Sequence, residues 1–463
     1  MATKKVKTSS RDSISTLPDE VLGQILSFLP TKLAASTTVL SKRWRNLFPL
    51  VHNLDFDPFM VISPNRIKPA TGRSTYLDFM EDTLVLLRNS PIKKFSLTWS
   101  SLQNINHIIY SVLENGVLEL HLSSSVCQCL LPGFFSKNLV KLTLSNGCYY
   151  QTKPPPGGVL FPSLKTLSLV LVCFPANAPV DLYESLLASP LLEEFNICDD
   201  HPHRAGWVKQ VSGSSIRRMS IFYRSHNMKD HSCFVIKTPN LVYLDYSSYV
   251  AEDYVVQFDS LVEARLDLRL WKYYDFLPPK ALYHGYDPST DGPWGDATKL
   301  IAALSNVVTL YLSADTLEVF YSCSESMPEF NNLVKLSFES HKERCWQVLP
   351  LLLKKSPNLE TLVIKGLVHE ITDECGDVCV HKKKKTKKRC CLLACRVKVL
   401  KIYGYGGRWR EVQQMRHFIE NLKYLEVVKV KVQVDQQDKF LPLTNKLMKL
   451  LPETSSKCKI QFF

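Results

Sequence analysis

The sequence predicts an α/β fold: a small three-helix module, then an irregular solenoid of parallel strands with helices on its convex side, closed by a C-terminal cap. Three observations carry this reading. Apolar residues crowd residues 17–47 at helical spacing, punctuated by two prolines. An apolar-x-x-apolar-x-apolar pattern recurs about every 25 residues through most of the chain. Helix-patterned segments end just before several of its copies.

Leu17 and Pro18 open the first helix, where a proline's missing N–H has no intrahelical partner to lose. Asp19 and Glu20 place negative charge at the positive end of the helix dipole. Val21, Leu22, Ile25, Leu26 and Leu29 then form one wide apolar stripe, and Pro30 stops the helix. A second short helix is expected through Leu33–Val39. A third carries Leu40, Trp44 and Leu47 on one face, with Lys42, Arg43 and Arg45 beside it. So small a unit has too little interior to bury this surface by itself. Full burial of the five stripe residues is worth on the order of 10 kcal/mol before entropy, so the stripe calls for a cover from another domain or another protein.

The runs L-P-D-E-V-L-x-x-I-L-S-F-L-P and V-L-S-K-R-W-R resemble the F-box of plant proteins. In that family three helices dock on the small acidic adaptor (SKP or ASK type) of a cullin–RING ubiquitin ligase. The resemblance implies an apolar contact made by Leu17, Pro18, Val21, Leu22, Ile25, Leu26, Leu29, Leu40 and Trp44. Lys42, Arg43 and Arg45 would lie at its rim, where attraction to an acidic partner mainly speeds association.

The repeated pattern is clearest in NLVKLTL (138–144), PSLKTLSL (162–169), PNLVYLDY (239–246), NLVKLSF (332–338) and PNLETLVI (357–364). Its first apolar residues are Ile92, Val117, Leu139, Leu164, Leu192, Ile216, Leu241, Leu261, Val307, Leu333, Leu359, Val397 and Leu422. Most steps fall between 20 and 28 residues. The 46-residue step from Leu261 to Val307 reads as two periods with a degenerate copy between, and the 38-residue step to Val397 as one period plus an insertion. One short strand per period of this length is the pattern of leucine-rich repeats, whose units bury their apolar faces only by stacking. Segments 79–90, 183–190, 297–306 and 348–357 read as the connecting helices. The Asn or Cys expected just past each strand is missing; Gly147, Val172, Asp315, His341 and Leu367 stand there, so the turns must be held by other means. From Cys395 the pattern V-K-x-L-K-I-x-G-Y-x-G, a helix through Met415–Asn421 and L-K-x-L-E resemble the FBD module of plant F-box proteins. The expected organisation is a disordered 1–11, an F-box over 12–58, repeats over 75–370, a lysine-rich insert over 371–394 and an FBD module over 395–463.

Net charge is +13, but KKKKTKKR (382–389) supplies seven of those charges and no stacking aromatics interleave it. That argues against a nucleic-acid partner and for a nuclear-import signal or a solvated loop. Apolar runs are too short to span a membrane and the N-terminus lacks a secretory apolar core. Fourteen cysteines without an export signal read as thiols of a cytoplasmic or nuclear protein. Cys375, Cys379, His381, Cys390, Cys391 and Cys395 form the one metal-like cluster, but the lysine run between its halves would repel a dication, so no metal or other cofactor is expected. Gly404, Gly406 and Gly407 miss the dinucleotide fingerprint, with Trp409 where its third glycine would be, and read as a turn. No nucleophile elbow, P-loop, H-E-x-x-H or paired-carboxylate motif is present. The function that the F-box resemblance implies is non-catalytic: substrate recognition in an SCF-type ligase for an unnamed target protein. The alternatives are a non-ligase interaction scaffold and a small-ligand co-receptor.

Overall fold

The computed structural model describes residues 14, 16–57, 75–88, 90–99, 105–124, 129–131, 135–146, 148–150, 160–172, 186–199, 210–224, 231–271, 295–380, 391–433, 443–445 and 458–463. The lysine run 382–389, His381, Cys390 and the N-terminal 1–11 lie outside the described residues. The chain divides into two compact units, 1–191 and 192–463.

The first unit opens with helices α1 (Asp19–Leu26), α2 (Thr31–Ser36) and α3 (Lys42–Leu47), with 3-10 turns at Thr37–Val39 and Phe48–Leu50. Strand β1 (Asn53–Phe56), helix α4 (Thr75–Leu86), β2 (Lys94–Trp99), helix α5 (Asn106–Glu114) and β3 (Glu119–Ser124) follow. Then come β4 (Cys129–Leu131), β5 (Lys141–Ser145), β6 (Cys148–Tyr150) and β7 (Thr166–Val170). Strands β1, β2, β3, β5 and β7 pair in that order, all parallel, and β4 and β6 form a separate parallel pair.

The second unit contains β8 (Glu194–Asp199), β9 (Gln210–Ser212), β10 (Arg218–Tyr223), β11 (Cys233–Lys237), β12 (Tyr243–Tyr249), β13 (Asp253–Gln257) and β14 (Glu263–Arg269). Helix α6 (Thr298–Ala303), β15 (Thr309–Leu312), α7 (Ala314–Ser322), β16 (Lys335–Glu339), α8 (Leu349–Lys354) and β17 (Thr361–Lys365) come next. The chain ends with α9 (Cys391–Ala394), β18 (Val399–Tyr405), α10 (Trp409–Asn421), β19 (Val427–Val432) and β20 (Lys459–Phe462). Its main sheet runs β8-β10-β12-β14-β15-β16-β17-β18-β19-β20, again all parallel.

The periodic leucines make the core. All thirteen residues read as repeat anchors are at most 3% exposed. The strand begins two residues after each anchor but the last, so equivalent apolar residues stack across the ladder: Phe95, Leu120, Leu142 and Leu167 in the first unit, and Leu336, Leu362, Leu400 and Val428 in the second. A backbone device fixes the register. At most steps of the two main ladders the carbonyl before a strand accepts two consecutive N–H groups from the next repeat, as Leu118 O does from Val140 and Lys141 at 2.8 and 3.0 Å. Val334 O repeats this with Glu360 and Thr361.

Four expectations are corrected. The 46-residue step holds no extra strand in the sheet, because β14 pairs directly with β15, Glu263 opposite Thr309. The last anchor is Leu425, not Leu422. Lys398 O takes the N–H groups of Glu426 and Val427, while Leu422 ends α10 with its N–H on Phe418 O. Among the described residues the repeats between β8 and β14 are backed by strands, not helices: β9, β11 and β13 form a second parallel sheet there. The alternation of buried and part-exposed residues in CFVIK suits a strand, and Phe234 of β11 stacks on Tyr246 of β12 with ring centroids 5.5 Å apart. Helices α5 and α7, not foreseen in the sequence, follow β2 and β15.

Hydroxyl side chains take over the work of the missing asparagines. Fully buried Thr316 of α7 accepts from Leu268 N–H at 2.7 Å and donates to Leu266 O at 3.0 Å, tying the helix to the backbone of β14. In the first unit Ser189 donates to Leu164 O at 2.8 Å. Thr316→Val keeps the side chain's shape and removes the acceptor of the Leu268 N–H, while Leu266 O keeps the Ser313 N–H at 2.9 Å, so it should cost about 1–3 kcal/mol. A lowered denaturant midpoint in the full chain, largely restored in Thr316→Ser, is the expected reading; an unchanged midpoint would contradict this role. Among the described residues no helix is long and apolar enough to cross a membrane.

Candidate functional site

Residues 17–50 form a thin helical layer with two different faces. Leu22, Gly23 and Leu26 of α1 turn inward and are buried, as are Ala34, Leu47 and Phe48. Gly23 is required by proximity: a Cβ there would lie 2.6 Å from Leu50 Cβ. The layer is tied to the strand that follows it. His52 N–H donates to Ser27 Oγ at 3.0 Å, Asn53 Nδ2 to Ser27 O at 3.3 Å, and Asp55 N–H to the buried Thr31 Oγ1 at 2.7 Å. Part of the cover that the sequence demanded is thus supplied by the chain itself.

The other face stays uncovered. Phe28 is 85% exposed and Val39 82%, with Leu40, Leu33, Ile25 and Val21 also open to solvent. Val21 and Ile25 of α1 and Phe28, two residues past its end, are spaced i, i+4, i+7 and are exposed where Leu22 and Leu26 are buried. Fully burying each such side chain is worth about 1.5–3 kcal/mol, and soluble monomers seldom leave this many exposed together.

The expected contact residues therefore separate into groups. Pro18, Val21, Ile25 and Leu40 are exposed, and Leu17, Leu29 and Trp44 are half-buried. Leu22 and Leu26 are each 1% exposed and cannot reach a partner; one apolar stripe on α1 serves two covers. Leu40 precedes α3 and Leu47 is buried beneath it, so Leu40, Trp44 and Leu47 do not share one face. Lys42 and Arg45 are exposed as a rim requires. Arg43 is instead a clasp: its guanidinium holds Asp19 Oδ1 at 2.7 Å and also donates to Leu17 O, joining α3 to the start of α1. Phe28 and Val39, the two most exposed, were missed in the sequence because S-F-L-P reads as a helix end and V-L as helix interior.

The family model for the F-box domain matches residues 14–54. The Arabidopsis thaliana chain At1g21990 is 49% identical over 98% of both chains. F-box/LRR-repeat protein At1g48400 from the same plant is 45% identical over 99% of each, and F-box/LRR-repeat protein At5g35995 is 45% identical over 98% of this chain and 99% of its own. The chain belongs to the F-box/LRR-repeat family. The helical layer lies within the segment that matches the F-box, and the stacked parallel strands are consistent with a repeat solenoid.

The second unit of this F-box/LRR chain carries an open cleft of about 540 Å³ over strands β12 to β17. Charges of both signs line it, among them Arg265, Asp267, Arg269, Asp315, Arg344 and Lys365. Arg344 donates to Asp315 at 2.6 Å, and Arg265 lies over the Tyr311 ring at 4.4 Å. Burial raises the Asp245 carboxyl above the usual range, against the opposing pull of Arg265. Such a surface suits a polar, charged protein segment rather than an apolar small molecule.

The metal-like residues of the F-box/LRR chain are regrouped by the fold. Cys375 and Cys379 are joined by His369, which the sequence did not single out. The ligand atoms of the three lie within 4.8 Å of one another and all three residues are buried. The Cys375 thiol is lowered to about 5, first by the hydrogen bond it accepts from Cys379, then by N–H groups of Thr372 and Trp346 and the Thr372 hydroxyl, with burial opposing. Cys379 is pushed up, first as the donor of that hydrogen bond and then by burial. Gly404 and Gly407 have positive φ, as a turn after β18 requires.

Proposed function

We propose that this chain is a substrate-recognition subunit of an SCF-type cullin–RING ubiquitin ligase, itself non-catalytic. The observation that supports it most is the row of exposed apolar side chains, Val21, Ile25, Phe28, Leu33, Val39 and Leu40, on the segment matched as an F-box. An SKP- or ASK-type adaptor covers that row, with Leu17, Pro18, Leu29 and Trp44 at its edges. Lys42 and Arg45 steer an acidic adaptor, an effect that weakens with salt. Leu22, Leu26 and Arg43 support the contact from beneath.

The mixed-charge cleft of the second unit is read as the place where a target protein is held. Its chemistry then resides in other subunits, and this chain contributes proximity. Residues 395–463 are read as an FBD module: β18, α10, β19 and β20 continue the parallel ladder to its last strand. The domain limits at 12–58, 75–370 and 371–394, and action in the cytoplasm or nucleus, belong to the same proposal.

Co-expression of the full chain with an SKP-type adaptor tests it. A stoichiometric complex on size exclusion is expected, and Leu17→Ala with Pro18→Ala should deplete it. A chain that elutes alone beside excess adaptor, or a double variant that retains the adaptor fully, would sink the reading. A complex that forms but alters no protein's lifetime when the gene is deleted would favour the scaffold alternative.

A further inference from the structure

The geometry points to a binding site for a zinc-class divalent cation formed by His369, Cys375 and Cys379. These three soft donors converge within 4.8 Å, with the His369 Nε2 to Cys379 Sγ distance at 2.9 Å. Zinc takes sulfur at about 2.3 Å and imidazole nitrogen at about 2.0–2.1 Å. A tetrahedral ion would thus hold sulfur and nitrogen about 3.6 Å apart and two sulfurs about 3.8 Å apart. The cluster therefore needs to open by only about 0.7 Å at its closest pair to accept such an ion.

The surroundings are those of a ligating histidine. His369 Nδ1 lies 3.3 Å from Leu367 O, so Nδ1–H donates to the backbone and leaves the Nε2 lone pair facing the sulfurs. Metal-bound histidines are oriented in this way by the hydrogen bond of the other ring nitrogen. Trp346 stacks on the imidazole at 3.8 Å between centroids and 9° between planes, locking the ring. Gly376, at φ +61°, turns the chain between the two cysteines; a Cβ there would meet Pro350 Cγ at 2.9 Å. The spacing Cys375-x3-Cys379 lies within the range of zinc ligand pairs. With two thiolates and a neutral imidazole, a dication makes the buried cluster electrically neutral.

The lysine run does not stand in the way of this set. The third ligand comes from upstream, so residues 382–389 do not separate the donors. The site would pin the 369–380 segment, which already meets the C-terminal helix: Gln414 Nε2 donates to Val378 O at 2.7 Å and His417 Nε2 lies 2.7 Å from Asp377 O. A structural ion here fastens the last repeats to the C-terminal module.

The test uses the full chain purified without chelators under a non-thiol reductant, with elemental analysis for zinc and titration with cobalt(II). About one equivalent of metal per chain is expected, with the near-ultraviolet thiolate-to-cobalt absorption. His369→Ala and Cys375→Ser should each weaken metal retention by at least about tenfold. Cys198→Ser should leave it unchanged. His369→Cys should retain the metal with a stronger thiolate absorption, which a merely packed histidine would not predict. A wild-type chain that is folded by circular dichroism, holds under roughly a tenth of an equivalent and gives no thiolate–cobalt band overturns the site. So does full loading in His369→Ala with Cys375→Ser.

Discussion

Phe28→Asp combined with Val39→Asp should weaken binding to an SKP-type adaptor by at least about 100-fold, since buried aromatic and apolar anchors at interfaces carry about 2 kcal/mol or more each. Neither side chain is packed in the free chain, so its stability should move by no more than about 0.5 kcal/mol per site. Leu26→Asp is the contrasting case. Leu26 is 1% exposed, so a buried carboxylate there should lower the unfolding midpoint of the free chain as well as binding. Calorimetric titration of the full chains into purified adaptor, with parallel denaturant curves, separates the two behaviours. Tight binding retained by the double aspartate variant would show that the exposed row is not the contact.

Trp346→Ala should be among the most damaging core substitutions, at about 3–5 kcal/mol. The ring is fully buried, stacks on His369, meets Phe338 edge-on at 5.4 Å and lies 6.2 Å from Phe418 of the C-terminal helix. Its loss opens a cavity where a repeat, the 369–380 segment and the C-terminal helix meet. The indole N–H is buried without an acceptor, so Trp346→Phe removes an unsatisfied donor and should cost less than about 1.5 kcal/mol. Chemical denaturation of the three chains gives the comparison. Equal destabilisation by alanine and phenylalanine would contradict a packing role for the ring.

The repeats were legible in the sequence because one leucine per period must be buried for units to stack, and Ile92 through Val397 all are. The end of the series was harder to read. N-L-K-Y-L-E offers two leucines three apart, and only the carbonyl of Lys398 reveals that Leu425 is the one in register. The backing strands β9, β11 and β13 are not legible from the period, which marks only the one strand per repeat that carries the leucine anchor. In the F-box, helical periodicity identified an apolar α1 but could not tell which residues the chain covers itself. Leu22 and Leu26 sit beside Gly23, whose contact with Leu50 marks the inner face, whereas Val21, Ile25 and Phe28 face out. The metal ligands were half legible. Two cysteines four residues apart are visible in sequence, but His369 joins them only because a turn brings it back to them.

The central claim is that one face of the chain meets a ligase while the repeats hold something else. Affinity purification of the intact chain beside Phe28→Asp, Val39→Asp, with quantitative mass spectrometry, tests it most directly. The account predicts that adaptor and cullin disappear from the variant's partners while a separate set of proteins remains. Adaptor and cullin recovered equally from both chains would contradict it.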